Sequence, residues 1–261
     1  MYASVYDIRQ FYATRLGRLA RRIILKKIQS LWPDVKGQTV LGLGYATPYL
    51  TAFKQEAETC FALMPANLGV HQWPEPSADK QLNSVALTEN PELPLETNSV
   101  DRILLVHSIE YAEMLKPNLQ ELWRVLKSNG RIIIVVPNRI GLWAGSDKTP
   151  FGEGTPYTVG QISFFLRDNY FVHEHTAHSL YLPPTRAALL HKLSGGFEKF
   201  GSVILPAFAG VHIVEASKQI YAGVSTRAQT GKAVVRGRRW LVPTPPTTIK
   251  YPKAHKMHYK H

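Results

Sequence analysis

Thr39-Val-Leu-Gly-Leu-Gly44-Tyr-Ala-Thr-Pro48 is the stretch on which the fold turns. An apolar run of strand length breaks at two glycines, and the next residues suit a helix start, with Thr as N-cap and Pro at the first helical position. The reading is strand, tight turn, helix. In a sheet built from such units the ligand lies beyond the carboxyl end of the strand, beside the turn. Taken alone, a glycine-turn-glycine is a weak signal, because many turns use glycine for its backbone freedom.

Outward from this unit the same alternation continues. Short apolar runs at 59–64, 83–88, 100–106, 131–136, 171–182 and 210–216 read as strands, and the continuously apolar ones suit strands covered on both faces. Residues 113–127 and 158–169 read as helices, the first stopping at Asn129-Gly130, and a helical insert is expected from 184 to about 200. These elements predict a seven-strand, mostly parallel, doubly wound α/β sheet. Ahead of it, residues 7–32 carry apolar side chains at helical spacing with basic ones between, which predicts one amphipathic helix ended by Pro33. Beyond about Tyr221 the periodicity stops and a disordered tail is expected. The expected division is therefore a helix over 1–34, a domain over 35–220 and a tail over 221–261.

The net charge of +12 is unevenly spread. Residues 1–30 carry +6, residues 221–261 carry +9, and the middle carries −3. Arg236-Gly-Arg-Arg-Trp240 followed by Lys250, Lys253, Lys256 and Lys260 interleaves cations with aromatic rings, a pattern that can neutralise phosphates and stack on bases. RNA is thus a candidate partner for the tail, and an anionic membrane surface a weaker one for the first helix. The lone Cys60 excludes an internal disulfide framework. Basic residues interrupt any leader-like apolar segment, and no run approaches the ~18 apolar residues of a membrane span. A cytoplasmic setting is expected. His173, Glu174, His175 and His178 could suggest a metal, but alternation on an edge strand explains His173 and His175 without one, and His255, His258 and His261 fall in the tail, so no metal site is assigned.

Downstream of the turn stand Glu89-Asn-Pro-Glu-Leu-Pro-Leu95, Asn98-Ser-Val-Asp101, Val106-His-Ser-Ile-Glu110, Glu121-Leu-Trp-Arg-Val-Leu-Lys127, Asn129-Gly-Arg131 and Ile134-Val-Val-Pro-Asn138. This series, in this order, resembles the type 11 class I S-adenosylmethionine (SAM) methyltransferases over roughly residues 38–180. Pro137 to Trp143 and Pro150 to Tyr157 resemble a bacterial subgroup of that superfamily. The resemblance implies a Rossmann-like fold and SAM as cofactor. It implies that Gly42, Gly44, Tyr45, Ala46 and Thr47 approach the methionine part of SAM, that Met64 stands at the ribose position and that Glu89 reads the adenine edge. Val106, His107 and Ser108 would end the fourth strand beside the transferring methyl, with His107 the candidate general base. Trp143, Phe151, Tyr157 and Phe164 are candidates for the acceptor pocket or for the core.

The chain departs from that family in two places. The family pattern Asp-x-Gly-x-Gly-x-Gly is replaced by Gly42-Leu-Gly44-Tyr-Ala46-Thr-Pro48, and the acid that grips the ribose is replaced within Leu63-Met-Pro-Ala66. Each lost charged hydrogen bond is worth roughly 1.5–3 kcal/mol, so SAM affinity is expected to fall by about two orders of magnitude unless other groups compensate. Two functions stay open: methyl transfer from SAM to an unidentified acceptor, and a methyltransferase-like protein without catalysis that docks on RNA or a ribonucleoprotein through its basic ends. Oligomeric state is not encoded in any motif.

Overall fold

The computed structural model describes residues 4–75, 82–89, 91–146, 149–185, 196, 198 and 208–219. The tail beyond 221 and most of the helical insert expected near 184–200 lie outside them. The described elements, in chain order, are α1 Val5–Ala13, α2 Arg15–Leu31, β1 Thr39–Gly44, α3 Thr47–Leu50, β2 Thr59–Pro65, β3 Val85–Thr88, β4 Val100–Val106, α4 Leu115–Val125, β5 Leu126–Pro137, α5 Val159–Asp168, β6 Phe171–Ser179 and β7 Val211–Lys218. Seven strands form one sheet in the order β3-β2-β1-β4-β5-β7-β6. The first five run parallel, and β7 is antiparallel to both β5 and β6. Strand order reverses direction between β1 and β4, whose last paired residues are Gly44 and Val106.

Strand alternation sends successive residues to opposite faces, and the core divides accordingly. Val40, Met64, Leu104, Val106, Ile133 and Val135 meet α1, α2 and α3 on one face. Leu41, Leu43, Ile103, Leu105, Ile132 and Ile134 meet α4 and α5 on the other. Glu215 on β7 ties α2 to the sheet: its buried carboxylate accepts from the Trp32 indole at 3.1 Å and faces Arg131 and His175 at 3.0 Å each.

Three expectations need correction. The single helix over 7–32 is two, because Thr14 caps α2 by accepting from the Gly17 amide while its own hydroxyl bonds the Phe11 carbonyl. The apolar face of the pair packs on the domain through Ile8, Phe11, Tyr12, Ile24 and Ile28. A helix does start at Thr47-Pro48, four residues long, but its N-cap is Ala46 with no side-chain cap bond, and Thr47 is already inside it. Asn129-Gly130 does not end a helix but lies inside β5, with Asn129 in the left-handed region at φ 63°. No described helix is long and apolar enough to cross a membrane.

Candidate functional site

The β1 turn is shaped by its neighbour strand. Gly44 has φ +74°, and a Cβ there would lie 2.4 Å from the Val106 carbonyl oxygen and 2.5 Å from that of His107. The Tyr45 amide donates to the Val106 carbonyl at 2.7 Å, closing the turn onto the end of β4. Only glycine fits such an approach without strain. Gly42 is different: its missing Cβ would meet Leu50 Cδ1 at 2.5 Å and Ala46 Cβ at 2.8 Å. The place of the family's first acid is therefore filled with apolar side chains.

Over this turn lies a cluster that sequence motifs did not reveal. The Tyr12 ring, carried by α1, stacks on Tyr45 with centroids 5.7 Å apart and meets His107 edge-on at 5.9 Å. Its hydroxyl is 2.9 Å from His107 Nε2 and 2.9 Å from the Tyr49 hydroxyl. On the other side of the imidazole, Nδ1 faces Glu110 Oε1 at 3.3 Å, and both atoms lack any other polar partner. Glu110 is oriented by the Ser108 amide, which donates to Oε2, and by the Thr155 amide, which donates to its backbone carbonyl. With the Nδ1 proton toward Glu110, Nε2 accepts from Tyr12. Tyr12 is neutral, because burial pushes its phenol well above the usual value, with Tyr49, Tyr45 and Glu110 adding to the effect. Burial likewise raises Tyr45 to about 12. His107 itself sits at φ 49°, a conformation that costs a non-glycine residue ~1–3 kcal/mol and concentrates at functional sites. Phe11 and Phe151 close the cluster with edge contacts, Phe151 lying 4.8 Å from His107.

Beside it opens a cleft of about 340 Å³ at the carboxyl ends of β2, β3 and β4. Pro65, Ala66, Asn67, Glu89, Tyr111 and Glu113 are among its walls. A narrower apolar recess adjoins it and includes Ser108, Ile109 and Leu43.

The expected site residues therefore separate. Gly44, Tyr45, Val106 and His107 meet at the β1/β4 crevice, and Thr47 is nearby, its hydroxyl 3.4 Å from His71 Nε2. Glu89 lines the open cleft and Ser108 its recess. Gly42, Ala46 and Met64 are packed inward against the helix-covered face. Met64 in particular is fully buried, so the first polar side chain after β2 is Asn67, which no motif had singled out. Trp143 and Phe151 belong to the core, whereas Phe164 is 56% exposed. His173, His175 and His178 bond to Thr176, Glu215 and His212 respectively. Burial pushes the Cys60 thiol up to about 11, which keeps it protonated and unreactive.

This geometry agrees with comparison to known proteins. Residues 40–134 match the family model described as "Methyltransferase domain". Over those residues the chain is similar to methyltransferase domains. Its fold is shared with a SAM-dependent methyltransferase of Thermotoga maritima, at 15% identity and a TM-score of 0.56, covering 82% of this chain and 96% of that one. The methyltransferase in complex with the Trm112 methyltransferase activator of Haloferax volcanii is similar at 17% identity and a TM-score of 0.54, covering 84% and 100%. A SAM-dependent methyltransferase of Mesorhizobium loti follows at 13% and 0.51, covering 74% and 96%. None of the curated proteins matches the sequence. Within this fold, the β1/β4 reversal is where the ligand of a doubly wound sheet sits, and it is bounded here by Tyr45, His107 and the open cleft.

Proposed function

We propose that the protein transfers a methyl group from SAM to a protonated oxygen or nitrogen acceptor, with His107 taking the acceptor's proton. The observation that carries this reading is the placing of a buried, carboxylate-backed imidazole and a polar cleft on the same crevice of a methyltransferase domain. SAM, when bound, supplies a sulfonium methyl that needs no further activation. The chain's own task is then to align, exclude water and hold a proton.

The residues suit SAM unequally. The cleft suits the nucleoside: Asn67, Glu89 and Glu113 offer oxygen acceptors for hydroxyl and amino hydrogens, between apolar walls at Pro65 and Ala66. Asn67 and Glu89 are assigned to the ribose and adenine in place of the missing family acid. His107 accepts at Nε2, and Glu110, 3.3 Å from Nδ1, is its positioning residue, holding the ring and its tautomer. Phe151, itself packed on Trp143, screens the imidazole from water. Calorimetry of the full chain with S-adenosylhomocysteine tests the reading, with binding weakened by Asn67→Ala and Glu89→Ala. Absence of binding at millimolar ligand would remove it.

A second reading rests on the charge of residues 221–261. In it the domain docks on RNA through those cations, whether or not it turns over SAM.

A further inference from the structure

The two halves of the crevice are in different states. The cleft between Pro65 and Met114 is open, whereas the space above the Gly44–Tyr45 turn is filled by the Tyr12 ring, stacked on Tyr45 and bonded to His107. Resting on the SAM reading above, we infer that Tyr12 decides what the site accepts: its side chain competes with the amino-acid half of the cofactor and with the acceptor for the same turn and the same His107 nitrogen. A nucleoside enters the cleft with Tyr12 in place; the whole cofactor enters only when α1 moves aside.

Three features make α1 a separable element. It is nine residues long, too short to be stable as an isolated helix in water. It is divided from α2 at Thr14, whose extended φ and ψ of −71° and 164° serve as C-cap of one helix and N-cap of the next. Its polar ties to the rest of the domain are few: the Val5 amide to the Leu68 carbonyl at 2.7 Å, and an Arg9–Glu75 pair exposed to solvent on both sides. Exposed pairs of that kind contribute little. What holds α1 is the burial of Ile8, Phe11 and Tyr12 and the two hydrogen bonds of the Tyr12 hydroxyl. The bond to His107 is also the one that withdraws His107 Nε2 from any acceptor. Closing of α1 and opening of the imidazole are therefore mutually exclusive.

A ligand whose binding-competent form is a minority is weakened by that fraction. Removing the competitor should restore it, and only for ligands that reach the turn. The test compares 5′-methylthioadenosine, which lacks the amino-acid half, with S-adenosylhomocysteine, using calorimetry on the full chain and on its Tyr12→Phe and Tyr12→Ala variants. Expected is an unchanged affinity for methylthioadenosine and an affinity for adenosylhomocysteine that rises about ten- to a hundredfold in Tyr12→Ala. Tyr12→Phe keeps the ring and the fold and should give a smaller rise. In the wild type, adenosylhomocysteine should speed hydrogen exchange of the α1 amides, and methylthioadenosine should not. Methylthioadenosine binding together with an adenosylhomocysteine affinity that is unchanged or weakened in both variants overturns the competition while leaving the SAM reading intact. Slower exchange in α1 on adding adenosylhomocysteine overturns it too. Failure of both ligands to bind any form of the chain would overturn the SAM reading and this inference with it.

Discussion

Single positions carry the sharpest consequences. Gly44 is held at φ +74° against the Val106 and His107 carbonyls, so Gly44→Ala combines a left-handed penalty with overpacking. Urea unfolding should show a loss of about 2–4 kcal/mol. At Gly42 the expectation from family patterns is that Gly42→Asp with Ala46→Gly restores cofactor affinity. The structure points the other way: Ala46→Gly clears one obstacle, but Leu50 Cδ1 still stands 2.5 Å from the new Cβ, and the added carboxylate would be buried beside it. The double variant should be destabilised and bind S-adenosylhomocysteine no better, as thermal melts and calorimetry would report. For the imidazole, His107→Asn should lower kcat ~10²–10⁴-fold, the usual span of a general base. Glu110→Gln should lower kcat with little change in KM, because Glu110 faces Nδ1 of His107 and orients the ring without touching substrate.

Among elements, the β6–β7 pair carries the pH dependence. His178 Nδ1 and His212 Nδ1 are 3.0 Å apart, on neighbouring strands. Burial lowers the His212 pKa to about 4, with His178 adding to the effect, and His178 is lowered by burial and by Lys27 on α2. The folded pKa of His212 lies below the ordinary ~6.5 of an unfolded chain, so the unfolded state takes up the proton first. Stability should hold above pH 6.5 and fall as the pH drops from there toward about 4. Glu198, bonded to Ser179 and the Tyr181 amide, is raised by burial and works in the opposite sense in the acid range. The check is urea unfolding at pH 7.5 and pH 5.0. His212→Asn should flatten the difference, and an equal loss in that variant would place the effect elsewhere.

At the scale of the whole molecule, charge and chemistry lie in different segments: the sheet domain is slightly acidic, and the cations are concentrated at the two ends. On the RNA reading, affinity for a single-stranded RNA should fall by roughly 10³ or more between 50 and 200 mM salt. It should also vanish when residues 221–261 are deleted, while S-adenosylhomocysteine binding stays. RNA binding that survives the deletion would assign it to the basic residues of α2 instead.

The class of fold and the place of the crevice were legible in the sequence alone. Apolar runs of strand length reveal parallel strands, a glycine turn marks the switch point, and both signals are local in the chain. The series from Glu89 to Asn138 likewise located His107 at the end of β4. Local signals misled in two places: Thr14 caps and so breaks a periodic helix, and Asn129-Gly130 lies in the irregular stretch of β5 between the Val100–Leu126 and Arg102–Arg131 pairs with β4. The composition of the site was beyond sequence reach for a physical reason. Tyr12 and His107 are 95 residues apart in the chain, and Tyr12 and Tyr49 are 37 apart. No spacing rule connects a helix to the strand end it covers; only packing brought the Tyr12 hydroxyl onto the imidazole, and only packing filled the place of the missing acid with Leu50 and Ala46.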